Sequence, residues 1–296
     1  MIFKFSIIII GYNSLNTLKQ LLPSLNNLNT RDVHLEIVYI DDGSKDNSMD
    51  YFKSYDLKYK KNFYQFINNK GRVHATNMGI KKSNGDWYLF VQSNTVLDSQ
   101  ILQHYIKGII NNAKKLIFAG GICYESLDKT LQQYLNNKSH GINAYKQYQQ
   151  IHFSHLLFGN CLIHSNIFKT IKLNLKLNLY GGEELDFAFK VVKRFPNSMI
   201  ACPKSIVTRI QYPDLHQHCK RLEEYGAHNF HILSPALQKE VIKYPALIAN
   251  IPGMYYLVLI FYRISLTIYK MGLRPSIIMK LIFGFAILKG YYKEIK

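Results

Sequence analysis

The sequence predicts an α/β fold: a mostly parallel, Rossmann-like sheet with helices on both faces, followed by an apolar helical tail. Three observations predict it. "FSIIII" (5–10) is a β-branched run of the kind that marks a strand buried on both faces. Strand-like and helix-like segments then alternate to about residue 124. Beyond residue 251 the chain is apolar and basic, unlike what precedes it.

Each element follows in order. After the first strand, Asn13 or Ser14 is placed to cap a helix whose Leu15, Leu18, Leu21, Leu22 and Leu25 share one face. Pro23 is expected to kink that helix or start a second segment. "LEIVYIDD" (35–42) reads as the second strand, "NSMDYFKSY" (47–55) as a short helix and "NFYQFI" (62–67) as the third strand. Residues 72–82 read as a helix closed by two lysines, which suit a helix C-terminus. "DWYLFVQ" (86–92) is the fourth strand, 99–115 a helix and "LIFAGGICY" (116–124) another strand. The polar, Tyr/Gln/Asn-rich stretch 125–150 suits a surface loop or lid, and 159–168 returns to core character. "YGGEELDFAFKVVKRF" (180–195) is a Gly-rich loop entering an amphipathic helix with Phe187, Val191, Val192 and Phe195 inward. Residues 214–233 form a polar helix carrying four histidines. "GMYYLVLIFYRISLTIY" (253–269) and "SIIMKLIFGFAIL" (276–288), joined by "KMGLRP" (270–275), fall short of a bilayer span of about 20 apolar residues.

Composition narrows the function. With 296 residues, 48% of them hydrophobic, the chain can form one large domain with an appendage. Its net charge of +18 calls for a polyanionic neighbour: nucleic acid, an anionic membrane or phosphorylated substrates. No zinc-finger spacing and no Arg-rich stripe with interleaved aromatics is present, so nucleic acid is not expected. Cys123, Cys161, Cys202 and Cys219 are widely spaced and read as reduced thiols of a cytoplasmic protein. The N-terminal apolar run lacks a small-residue cleavage site and reads as a core strand, not a signal peptide.

In sheets of this kind ligands bind outside the carboxyl ends of the strands. Three such ends carry polar clusters: "GYN" (11–13), "DDGSKD" (41–46) and "QSN" (92–94). Adjacent carboxylates at a strand end can accept from a base's imide N–H and from ribose hydroxyls, and Gly43 allows the tight turn. A turn that caps the next helix would use the same residues. Glu183, Glu184 and Asp186 open a helix, where the dipole favours them.

The ordered segments "SIIIIGYNSLNTLKQLLPSL", "EIVYIDDGSKDNS", "NKGRVHATNMGIKKSNGDWYLFVQSNT" and "GGEELDFAFKV" resemble the motifs of glycosyltransferase family 2 over roughly residues 5–195. The resemblance implies a GT-A catalytic domain over 1–212, with a nucleotide-binding half (about 1–124) and an acceptor half (about 125–212). A helical extension (213–250) and an apolar, basic helical hairpin (251–296) follow in the sequence; the hairpin is expected to associate with a membrane, the alternative being two helices packed on the catalytic domain. The resemblance implies inverting transfer from a nucleotide-diphosphate sugar, with Mg²⁺ or Mn²⁺ as the usual cofactor. Gly11, Tyr12, Asn13, Asp41, Asp42 and Gly43 match the nucleotide cradle. Gly71, Arg72 and Asn77 match the segment beside the diphosphate. Gln92 and Asn94 match the metal-and-phosphate motif. Glu184 matches the catalytic base, with Glu183 and Asp186 beside it.

Three positions depart from the pattern. Ile10 and Gly11 replace the usual proline before the "YN" turn, and Thr76 replaces the usual arginine of the diphosphate segment. Most consequential, Gln92-Ser93-Asn94-Thr95 has no carboxylate, whereas Mg²⁺ is generally held through at least one. Asp98, read as one turn on, is a substitute ligand; Asn94 with His218 or His216 is an alternative set that suits Mn²⁺. Transfer without metal, with Lys, Arg and the positive field on the diphosphate, is the remaining option.

The expected function is synthesis of a bacterial surface glycan at the cytoplasmic face of the inner membrane, as a peripheral or monotopic protein. The acceptor would be a saccharide or lipid-linked, and the basic tail would meet anionic lipid. The rival expectation is a catalytically silent scaffold in a glycan-assembly complex. A nucleotidyltransferase is disfavoured by the lack of a Gly-rich, cationic phosphate loop. Oligomeric state is left open by the sequence.

Overall fold

The structure, a computed structural model, describes residues 2–242, 251–272 and 276–293. Residues 243–250 of the expected helical extension and 273–275 of the expected hairpin joint lie outside the described residues.

Strand β1 (Phe3–Gly11) is buried on both faces: Phe5, Ile7 and Ile9 enter one core layer and Ile8 the other. Helix α1 (Leu15–Asn26) covers the first layer with the leucines expected of it. It is continuous through Pro23. Pro23 is exposed and near the C-terminal end, so the hydrogen bond it removes faces solvent. The helix start is not capped by Asn13 or Ser14. Asp46 accepts from the Leu15 N–H at 3.0 Å instead, across the loop.

Strand β2 (Val33–Asp41), helix α2 (Ser48–Ser54) and strand β3 (Lys60–Gln65) extend the sheet in parallel on one side of β1. Helix α3 (Arg72–Lys82) crosses the other layer with Val73 and Ala75, and β4 (Trp87–Gln92) returns parallel to β1. The second half is mixed. Short β5 (Thr95–Leu97), α4 (Ile101–Asn111), β6 (Ile117–Ser126), α5 (Lys129–Leu135), β7 (Asn160–His164), α6 (Ile167–Thr170), α7 (Glu183–Arg194) and β8 (Met199–Tyr212) complete an eight-stranded sheet ordered β3-β2-β1-β4-β7-β6-β8-β5. β7 runs antiparallel to β4 and β6, and β5 antiparallel to β8.

Three sequence expectations change here. The lid stretch is partly helical, as α5. The amide turn after β4 leads directly into a strand. Strand β8 was not anticipated, because Pro203-Lys204-Ser205 interrupts it. The pairing with β6 shifts register there, between Gly120 and Gly121. Buried Asn160 takes up the freed groups: its amide donates to the carbonyls of Gly121 and Ser205, both at 2.8 Å, and accepts from the Tyr105 hydroxyl at 2.7 Å.

Beyond the sheet come α8 (Leu215–Ala227), α9 (Asn229–Ile232), α10 (Pro235–Val241), α11 (Met254–Lys270) and α12 (Ser276–Lys293). Helices α8 and α12 cross at backbone contact. A Cβ at Gly226 would overlap the Ile287 carbonyl, and one at Gly290 the Glu223 carbonyl. Lys289 pairs with Glu223 at 2.7 Å beside the crossing. Helix α11 rests on α12, with Phe261 stacked on Phe285, and leaves Leu257, Ile260, Phe261 and Ile264 about half exposed. No helix among the described residues is long and apolar enough to cross a membrane.

The crossing fixes a test of the tail's attachment. Gly290→Leu should destabilise the protein by about 2 kcal/mol or more, because no rotamer clears the α8 backbone. Thermal melts should show it, with faster proteolysis between α10 and α12. An unchanged melting curve would mean that α12 does not dock this way.

Candidate active site

The ends of β2, β1 and β4 lie side by side, with Gly11 paired to Asp41 and Ile10 to Gln92. Asn13 sits at φ +47, and its side-chain oxygen accepts from the Lys45 N–H at 2.8 Å while its own N–H donates to Ser44. Asp41 is fully buried and accepts from the Ser44 N–H at 2.7 Å and from the Tyr39 hydroxyl at 3.3 Å. Asp42 accepts from the Lys70 and Gly71 N–H groups at 2.9 and 3.0 Å. Burial raises its pKa, and those two bonds oppose the rise. Gly43 is required at φ +80, where a side chain would strike the Asn68 backbone. Tyr12 is half exposed at this edge, free to lie against a ligand. The two aspartates thus hold the loops that shape the edge, and a ligand would meet the loops as much as the carboxylates.

The second half of the site begins at the N-terminus of α3. Arg72 ion-pairs with buried Glu183, and its other terminal nitrogen lies 3.7 Å from Glu184. Both carboxylates open α7, where the helix dipole supports negative charge. Glu184 also accepts from the Phe158 N–H at 3.0 Å. Burial raises its pKa; Arg72 pulls it down, Glu183 pushes it up, and the Phe158 N–H and Arg209 pull it down again. Glu184 lies in the wall of a cleft of about 910 Å³ with Tyr180, Gly181, Gly182, His152 and His155. Asp186 is directed away into its own helix, bound to Lys190 at 2.6 Å.

The amide turn is built without acid. Ser93 donates to the Ile10 carbonyl, Thr95 to the Gln92 carbonyl, and the Asn94 amide to the Ile210 carbonyl at 3.1 Å. Two neutral amide oxygens, from Gln92 and Asn94, are what this turn offers a cation. Asp98 does not supplement them. The intervening residues form β5, so four extended residues carry it about 13 Å away, where it starts α4. His218 is occupied in the tail core: Tyr212 hydroxyl lies 3.2 Å from its Nδ1, and the Phe283 ring packs on it edge-on. Arg221 and Arg209 both act on that ring, a setting that repels a second cation. Among the described residues no group of three His, Cys, Asp or Glu stands ready to hold a metal. The donor set does not fit the divalent ion the family commonly uses.

Asn77 also stands apart. It is about 140° around α3 from Arg72 and lines a separate groove with Lys70, His74 and Lys81. Sequence reasoning missed Arg209. The β5–β8 register sets it opposite Thr95, and its guanidinium lies 5.1 Å from the Tyr212 ring centre. The only trace in the sequence was an arginine within the alternating "SIVTRIQY".

Comparison with known proteins bears on the family and the fold. The pattern described as glycosyl transferase family 2 matches residues 6–172. A poly(ribitol-phosphate) beta-glucosyltransferase of Bacillus spizizenii is 34% identical over 101 residues, 33% of this chain and 16% of that protein. A teichoic acid poly(glycerol phosphate) polymerase of Staphylococcus epidermidis is 26% identical over 185 residues, 60% of this chain and 24% of that one. The chain therefore matches less than a third of the length of either relative. Among solved structures, the mannosyltransferase PcManGT of Pyrobaculum calidifontis, in complex with GDP-Man and Mn²⁺, superposes with TM-score 0.66 at 13% identity, over 100% of this chain and 88% of that one. Staphylococcus aureus TarS 1-349 superposes with TM-score 0.57 at 14% identity, over 99% and 92%. At such identity the likeness shows a shared GT-A fold.

His218 ties stability to pH. Burial, then Arg221 and Arg209, lower its pKa from 6.5 to about 4. The unfolded chain therefore takes up the proton first, and stability falls as pH drops from about 6.5 towards 4. Between pH 7 and pH 5 the wild type should lose about 1–2 kcal/mol that His218→Phe does not lose, read by urea titration. Equal losses in both proteins would contradict the buried neutral ring.

Proposed function

The chain belongs to glycosyltransferase family 2, and on that premise we propose that it transfers a sugar, with inversion, from a nucleotide-diphosphate donor to a hydroxyl of a surface glycan acceptor. The observation that carries the reading is Glu184: a mostly buried carboxylate at a helix N-terminus, with raised pKa, in the wall of a cleft of about 910 Å³. The acceptor oxygen attacks the anomeric carbon and forms the new C–O bond. The bond from that carbon to the diphosphate oxygen breaks, its electron pair leaves with the diphosphate, and the acceptor proton passes to Glu184. Glu183 and Arg72 hold Glu184 in place, and the Phe158 N–H fixes one of its oxygens. The strand-end loops around Gly11, Tyr12, Asn13, Asp42 and Gly43 would receive the nucleotide. The acceptor is a saccharide or a phosphate-linked polymer, as the named relatives suggest, and the basic chain suits anionic acceptors.

The same reading places the protein on the cytoplasmic face of a membrane, as a peripheral protein. What supports it is the tail. Leu257, Ile260 and Ile264 repeat at helical spacing along α11 and stay about half exposed, flanked by Arg263 and Lys270, and neither α11 nor α12 contains an acid. A second copy docked there would bring like charges together without a carboxylate to offset them. An anionic lipid surface meets both the apolar stripe and the cations.

Glu184→Gln should lower kcat by about a hundredfold or more with donor affinity within about twofold, since the base acts on the acceptor. Because Glu184 must be ionised to accept a proton and its pKa is raised, the acid limb of kcat/KM should have its midpoint above 4.5 and vanish in the variant. Unchanged turnover would remove Glu184 from the role. Leu257→Glu with Ile260→Glu, both about half exposed and outside the Phe261–Phe285 stack, should reduce co-sedimentation with phosphatidylglycerol vesicles about tenfold. Undiminished binding would refute attachment through α11.

A further inference from the structure

Building on the donor reading above, we propose that the Arg209 guanidinium grips the donor's diphosphate and supplies the positive charge that the family commonly takes from a divalent metal. The metal-motif turn carries amides and no carboxylate, and its nearest aspartate is carried off by β5. In the same place the tertiary structure supplies a cation. Arg209 is opposite Thr95 in the β5–β8 pair, so the two side chains share one face of the sheet, immediately beyond the turn. The neighbouring Ile210 is tied both ways to Asn94, its N–H to the Asn94 carbonyl at 2.9 Å and its carbonyl to the Asn94 amide at 3.1 Å. The backbone that carries Arg209 is therefore anchored to the turn.

The guanidinium is also short of partners. Its Nε is buried and has no hydrogen-bond partner among the described residues. It pairs with no carboxylate among them, whereas Arg72 is committed to Glu183 and Glu184. What holds Arg209 is aromatic: it lies over the Tyr212 ring, with the Tyr124 hydroxyl nearby. A buried donor left open beside a strand-end site is completed by a ligand, and a guanidinium fork matches two phosphate oxygens at once. It is near enough to Glu184 to favour the ionised carboxyl, so leaving group and base share one cation's field. During transfer Arg209 keeps its proton. It stabilises the negative charge that develops on the diphosphate oxygen as the bond to the anomeric carbon breaks.

Calorimetry with UDP, GDP and dTDP, in EDTA and in Mn²⁺, tests this on the wild type, Arg209→Gln and Arg209→Lys, with the matching nucleosides as controls. The expected result is one diphosphate that binds in EDTA within about twofold of its affinity in Mn²⁺. Arg209→Gln should weaken that diphosphate about thirtyfold and the nucleoside less than about threefold, and Arg209→Lys should recover part of the loss. A general folding defect would weaken the nucleoside equally, and that result would overturn the assignment. So would diphosphate binding that requires Mn²⁺, or an Arg209→Gln protein that binds as the wild type does. If no nucleotide binds under any condition, the donor reading itself falls, and the inference with it.

Discussion

Arg72 and Glu183 form the ion pair on which the rest of the site is arranged. Glu183 is almost fully buried, and its charge depends on the Arg72 guanidinium, because its second oxygen finds no hydrogen-bond partner among the described residues. Arg72 stands at the start of a helix, where its own dipole repels it, and the two glutamates of α7 offset that repulsion. The constraint propagates through contacts that touch one another in turn. Asp42 clamps the N–H groups of Lys70 and Gly71, directly before Arg72. Arg72 reaches Glu183 and Glu184, and Glu184 reaches the Phe158 N–H. The end of β2 is thereby linked to the cleft at α7, so the strand-end edge and Glu184 keep a fixed separation.

Charge around the site follows one logic. The carboxylates there are held: Asp41 and Asp42 accept from backbone N–H groups, and Glu183 is ion-paired with Arg72, although its second oxygen has no hydrogen-bond partner among the described residues. Arg209, by contrast, has a buried Nε without a hydrogen-bond partner and no carboxylate partner among the described residues. A divalent ion needs the reverse, open carboxylates and few neighbouring cations. The amide turn, the distant Asp98 and the arginine-flanked His218 all point the same way, although they belong to different elements.

The tail divides its labour between two helices of similar composition. α12 is bound to α8 at backbone contact, through Gly226 and Gly290, and belongs to the folded body. α11 touches the body chiefly through α12 and presents an apolar stripe with cations beside it. Apolar content alone does not separate a packed helix from a surface-docking one. Two glycines placed where backbones cross do.

Much of this was legible from the chain itself. The isoleucine run of β1, the leucine face of α1 and the alternation up to β6 fixed the layered α/β fold, because burial on one or both faces imposes periods that need no tertiary information. The strand-end clusters and the order of the four motifs identified the family and pointed to Glu184. What the sequence could not decide was set by contacts between distant segments. Asp46 caps α1 from another loop, Asn160 bridges the interruption that hid β8, and β5 takes Asp98 away from the turn. Arg209 gains its place only when β8 pairs with β5, more than a hundred residues earlier in the chain. Local periodicity encodes which face is buried; the partner of a charged side chain is chosen by strand register, and register is a property of the assembled sheet.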